Sequence, residues 1–243
     1  MGPDSIGNAE KSFKKILLVI PKYKNVQTVI CPPFLYIPKL VELAKKKPII
    51  GAQNLFEEEK GSFTGEISAL MLKALGVRYV IIGHSEQRKL GESDQSINKK
   101  ILIALKTGIT PIICIGEETR DDDGEYLAVL KNQLAGALNS VTKKMLDTVI
   151  IAYEPVWAIG GAQAMKSGEV HETVLFTKKA LIDMYKVKPA SIVTPILYGG
   201  SVDPENCASI MTEGEADGLL IGRQSLIPEN FTAVIRIANT LKK

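Results

Sequence analysis

Seven short apolar runs recur along the chain, each followed by a longer amphipathic stretch, and this alternation limits the possible folds more than any other feature. The runs are QTVIC (27 to 31), PIIGAQ (48 to 53), RYVIIG (78 to 83), TPIICIG (110 to 116), TVIIAYEP (148 to 155), TPILYGG (194 to 200) and DGLLIG (217 to 222). Each has the length of a buried strand and lacks polar alternation, the pattern of strands covered on both faces. The stretches Leu35 to Lys45, Ile67 to Leu75, Asp94 to Lys106, Gly124 to Leu138, Glu169 to Met184, Pro204 to Met211 and Pro228 to Leu241 read as helices, several with Ser, Asp or Pro near the start. Parallel strands need crossover connections, which are usually helical, so the alternation predicts parallel βα units.

Ahead of the first run stands a further helix. Asp4 and Ser5 are N-cap candidates, and Phe13, Ile16, Leu17 and Ile20 recur at helical spacing until Pro21. Seven strands with eight helices in 243 residues predict a single-domain (β/α)8 barrel over residues 1–243, lacking its first strand. The gap is expected to close by contraction to seven strands or to be filled by another chain. The competing architecture is an open doubly wound sheet, but QTVICPPFLY has no glycine where a dinucleotide fingerprint would begin.

Composition narrows the function classes. No apolar run approaches the roughly 18 residues of a membrane span. No secretory pattern follows Met1, so a cytoplasmic location is the default expectation. Cys31, Cys114 and Cys207 are far apart and without metal-ligand spacing, so neither disulfide nor zinc is expected. A net charge of +3, with Lys45 to Lys47 read as a helix-end cap, argues against nucleic acid and leaves a small anionic ligand compatible.

Polar and glycine-rich groups follow nearly every run, and a barrel gathers such strand ends around one mouth. His84 directly follows RYVIIG and reads as catalytic, whereas His171, in the charged EVHET, reads as a surface residue. Glu154 closes the run TVIIAY, a costly place for a carboxylate unless it is used or neutralised; the alternative is a solvated loop-start acid. PVWAIGG after it combines a rigid Pro155, an apolar tip and two glycines. It reads either as a lid excluding water or as a loop whose Trp157 and Ile159 pack on a neighbouring helix. YGGSV and IGRQS are glycine-rich turns suited to an anion, and loops after the last two strands of such barrels often hold phosphate. A base, an imidazole, a phosphate cradle and a lid together fit proton abstraction beside a carbonyl in a small phosphorylated substrate, chemistry that requires no metal or redox cofactor.

AYEPVWAIG, GHSEQR with GESD, CIGE, AQNLF with GSFTGE, and YGGSV, in that set and from about Pro3 to the C-terminus, resemble the triosephosphate isomerase family. That family is itself a standard instance of a closing lid and a neutral histidine electrophile. The resemblance implies Glu154 as general base and His84 as electrophile, acting between dihydroxyacetone phosphate and glyceraldehyde 3-phosphate. It implies phosphate ligands at the N–H groups of Gly160, Ser201, Gly222 and Arg223, supporting positions for Ser85 and Glu86, and Cys114 beneath the base. The lid would comprise Pro155, Val156, Trp157, Ala158, Ile159, Gly160 and Gly161. Loop 55 to 65, with Thr64 near its end, resembles an arm that reaches into a partner subunit, implying a homodimer; otherwise it is an exposed acidic loop.

Three departures stand out. Gly160, Gly161 and Ala162 occupy the place of the family's Gly-Thr-Gly, and Arg223 replaces the second glycine of the phosphate turn. The family's opening strand, ending in Asn-x-Lys, has no counterpart here, so the chain reads as starting after it. Two readings follow: a triosephosphate isomerase, or a truncated barrel that binds phosphate or self-associates without turnover. Another phosphate-binding barrel does not explain YEPVWAIG and GHSE together.

Overall fold

A computed structural model describes residues 2–45, 49–159 and 164–241. Lys46, Lys47, Pro48, Gly160, Gly161 and Ala162, which figure in the readings above, lie outside them. The strands are β1 (Val29–Ile30), β2 (Ile49–Ala52), β3 (Tyr79–Ile82), β4 (Thr110–Ile115), β5 (Ile150–Tyr153), β6 (Ile196–Tyr198) and β7 (Gly218–Leu219). The helices are α1 (Ile6–Leu17), α2 (Ile37–Ala44), α3 (Ala69–Ala74), α4 (Ser85–Lys89), α5 (Asp94–Thr107), α6 (Glu125–Ala137), α7 (Lys143–Leu146), α8 (Ser167–Tyr185), α9 (Cys207–Thr212) and α10 (Pro228–Leu241).

Every expected strand lies inside its run. Ten helices rather than eight occur among the described residues, because α4 and α7 are too short for apolar periodicity to reveal. α9 starts at Cys207 rather than Pro204. Asp203 Oδ1 accepts the N–H groups of Glu205 and Asn206, at 2.8 and 3.0 Å, and so holds the preceding residues in a turn.

Local chemistry sets the boundaries. Ser5, extended at φ −144°, accepts the Asn8 N–H and starts α1, and Ser93 does the same for α5 through the Ser96 N–H. α5 stops at Gly108, which takes the left-handed conformation (φ 71°).

The sheet runs β1-β2-β3-β4-β5-β6-β7, each pair parallel. This order never reverses, so there is no switch point of the doubly wound kind, and the crossovers put the helices on one face. The sheet is the curled α/β arrangement of a βα barrel. Alternate strand residues divide between two cores. Val80, Ile82, Ile113, Ile115, Ile151 and Tyr153 join the helices, whereas Ile112, Cys114 and Ala152, with Ile81, Leu197 and Leu220, fill the opposite, concave face.

Among the described residues β1 and β7 share no ladder, so the expected contraction to a closed seven-stranded ring does not form. Helices bridge the gap from outside instead. Ile16 and Ile20 pack with Phe231 and Ile235 of α10, against Ile30 of β1 and Ile221 just after β7. Lys15 pairs with Glu229 at 2.8 Å, and the Asn25 N–H donates to Asn239 Oδ1 at 3.1 Å. The helical stripe that read as a helix without a predecessor is thus the wall of the opening.

Candidate active site

Because all strands are parallel, the residues that follow them emerge at one end of the sheet. Glu154, one residue past β5, is 2% exposed, and its N–H donates to Ile115 O at 2.8 Å. Two glycines make room for it. A Cβ on Gly116 would lie 1.8 Å from Glu154 O, and one on Gly199 would lie 2.9 Å from Glu154 Cγ. Close approach, rather than a special φ, requires glycine at both positions.

His84 caps α4 from the end of β3. Its Nδ1 accepts the Glu86 N–H at 3.2 Å, so a neutral ring carries its proton on Nε2. Nε2 lies 3.1 Å from Glu154 Oε1, yet the two are not aligned as a hydrogen bond, and among the described residues Oε1 is buried without a donor. The other carboxylate oxygen accepts the Ser85 N–H at 3.2 Å.

Burial raises the Glu154 pKa, opposed by His84, the Ser85 N–H and the Cys114 thiol, with a small further rise from Glu86. The site therefore holds a desolvated carboxylate with one free oxygen beside an imidazole N–H: a base and a hydrogen-bond donor at contact distance. Cys114, fully buried below it, is kept as a thiol by burial and by the nearby Glu154 charge.

The sequence-predicted residues come together unevenly. Ser85 and Cys114 touch Glu154, while Glu86 presents an exposed carboxylate 3.9 Å from His84 Nδ1. His171 lies on α8, 3.6 Å from Glu215; it is half-buried rather than fully on the surface, and among the described residues its buried Nδ1 has no hydrogen-bond partner. Pro155 and Ala158 are buried, Val156 is half-buried, and Trp157 and Ile159 are each more than one-third exposed. Ser201 and Gly222 follow the neighbouring strands β6 and β7, and Arg223 is exposed at the start of a 3-10 turn. Among the described residues, the N–H groups of Ser201, Gly222 and Arg223 donate to no protein acceptor. Loop 55 to 65 is folded on itself: the rings of Phe56 and Phe63 lie 4.7 Å apart, and Glu57 and Glu59 pair with Lys99 and Lys106 of α5. Thr64 is exposed near its end.

Sequence reasoning missed Glu117. This carboxylate, 1% exposed, accepts the Tyr153 hydroxyl at 2.8 Å and the Trp157 indole N–H at 2.9 Å, while its backbone oxygen accepts the Val156 N–H. It joins the end of β4 to the turn after Glu154. The signal was present, since Glu117 closes an apolar run in CIGE just as Glu154 does. Arg88 was missed as well; it braces α4 by donating to Gly83 O at 3.0 Å and to Asp94 Oδ1 at 2.7 Å.

A family model described as triosephosphate isomerase matches residues 4–238. The chain belongs to the triosephosphate isomerase family. It is 46% identical over 215 residues to the triosephosphate isomerase of Natranaerobius thermophilus, covering 88% of this chain and 83% of that protein. The triosephosphate isomerase of Thermoanaerobacter pseudethanolicus is 40% identical over 230 residues, 93% of this chain and 92% of that protein. That of Dehalococcoides mccartyi is 41% identical over 227 residues, 92% and 88% of the two chains. Membership of the triosephosphate isomerase family accounts for the barrel order and for the grouping of long motifs at one sheet end. No helix among the described residues is long and apolar enough to cross a membrane.

Proposed function

We propose that the chain interconverts dihydroxyacetone phosphate and glyceraldehyde 3-phosphate, as one domain and as a homodimer in the cytoplasm, serving glycolysis and gluconeogenesis. The observation that carries this reading is the buried Glu154 carboxylate with His84 Nε2 at 3.1 Å. Glu154 takes a proton from the carbon beside the substrate carbonyl and returns it to the neighbouring carbon. His84 Nε2–H donates to the oxygen that gains charge in the enediolate between them and relays the hydroxyl proton from one oxygen to the other, so that carbonyl and alcohol exchange places. The Ser85 N–H and the Cys114 thiol hold the carboxylate, and Glu86 orients the imidazole through its own N–H.

The phosphate is received by the N–H groups of Ser201, Gly222 and Arg223, with Gly160 contributing from the lid. Residues Pro155 to Gly161 close over the substrate and exclude water, the role for which this family's lid is itself a standard example. Loop 55 to 65 carries Thr64 into the partner subunit.

A coupled assay supplying glyceraldehyde 3-phosphate and following dihydroxyacetone phosphate tests the activity directly. Turnover abolished by Glu154→Gln is the expected result. A well-folded chain with no turnover above background refutes the activity.

A further inference from the structure

The arginine in the phosphate turn is one of the three places where this chain departs from its family, and backbone donation leaves its side chain unexplained. Glu154, Glu117 and Glu86 all lie at the mouth end of the sheet, and a phosphate monoester would bring about two further negative charges. The chain has five arginines. Arg78 precedes β3 and Arg236 lies on α10, away from the strand ends that form the mouth. Arg88 is committed to Gly83 O and Asp94, and Arg120 pairs with Glu172 at 2.5 Å and lies over the Tyr126 ring.

Arg223 alone among these five follows a strand at the mouth while having no carboxylate partner among the described residues. It is exposed and next to Gly222, in the turn after β7, and Ser201 lies in the turn after the adjoining strand β6; among the described residues the N–H groups of all three are unused.

We infer that the Arg223 guanidinium is itself a substrate-binding group, adding a cation to a turn that would otherwise offer neutral amides and biasing the site toward doubly charged phosphate esters. This rests on the phosphate-turn reading above. The planar fork of N–H donors suits phosphate oxygens, and the exposed position leaves it free to swing onto the ligand.

The test is calorimetric titration of the chain with glycerol 3-phosphate, a three-carbon phosphate monoester that cannot isomerise. Arg223→Gln and Arg223→Gly should each weaken binding about fivefold, the scale of an ion pair in contact with water, while Arg223→Lys retains most of the affinity. The difference should shrink in high salt and again below about pH 6, where the monoester loses its second charge. A merely structural residue would show neither dependence. Equal affinity in all three variants overturns the role of the guanidinium and leaves the phosphate turn standing. Failure of the unaltered chain to bind the ester overturns the turn itself, and the Arg223 assignment with it.

Discussion

Glu154 is a carboxylate kept where water would normally be needed to stabilise its charge. Burial raises its pKa and outweighs His84, Ser85 and Cys114, which favour the ionised form. An acid whose pKa is higher folded than unfolded makes the folded state less stable as pH rises through the interval between those two values, because the folded chain then holds more protons. Glu154→Gln should therefore be more stable than the parent at neutral pH, and the difference should vanish once the pH falls below the ordinary carboxylate range near 4.3. Thermal unfolding of both proteins across pH measures this. The same substitution should lower kcat by about 10²- to 10⁴-fold, the usual worth of a general base. The parent's kcat/KM should begin to fall on the acid side at a pH above that of an exposed glutamate, since the protonated base is inactive.

At the scale of elements, the base is positioned by the ends of three strands. Gly116 after β4 admits the Glu154 backbone and Gly199 after β6 admits its side chain. Gly199→Ala should push the carboxylate away from His84, because the added Cβ meets Glu154 Cγ first and neither Ser201, Gly222 nor Arg223 is among its three nearest neighbours. Misplacement of about 1 Å costs on the order of 10² in rate, so kcat is expected to fall by about that factor with KM changed much less. Steady-state kinetics on the variant checks the split, and an equal effect on both constants would place the strain elsewhere. Glu117 works at this scale too, linking β4 with Tyr153 of β5 and with Trp157 in the lid turn.

Across the whole molecule, sheet hydrogen bonding is uneven. β4 and β5 are flanked on both sides by partners, whereas β1 and β7 are each paired on one side only among the described residues. The α1–α10 contact spans the opening with side chains rather than a backbone ladder. Native-state hydrogen exchange should rank the strands accordingly. Amides of Ile113 and Ile151, fully buried in the central strands, should exchange last, and those of Val29, Ile30, Gly218 and Leu219 well before them. Uniform protection over all seven strands would mean that the edges are covered in solution.

The sequence by itself determined the order and type of the main elements, since each strand is an apolar run ended by glycine, proline or polar residues and each long helix carries a stripe at helical spacing. Length and count led to the barrel, and the position of His84 and Glu154 just after strands marked them as site residues before any coordinates. Single-turn helices α4 and α7 were not legible, being too short for a period to repeat. Glu117 and Arg88 were passed over because their importance lies in what they touch: a tyrosine and an indole 36 and 40 residues away in one case, a backbone oxygen and an aspartate in the other. Only the tertiary structure decided that Glu154 Oε1 is buried, free and beside the His84 N–H, that glycines just after two other strands clear its space, and that helices rather than a backbone ladder span the gap between β1 and β7. Local patterns report the faces and ends of elements, whereas desolvation, contact distance and strand closure depend on which distant segments fold against them.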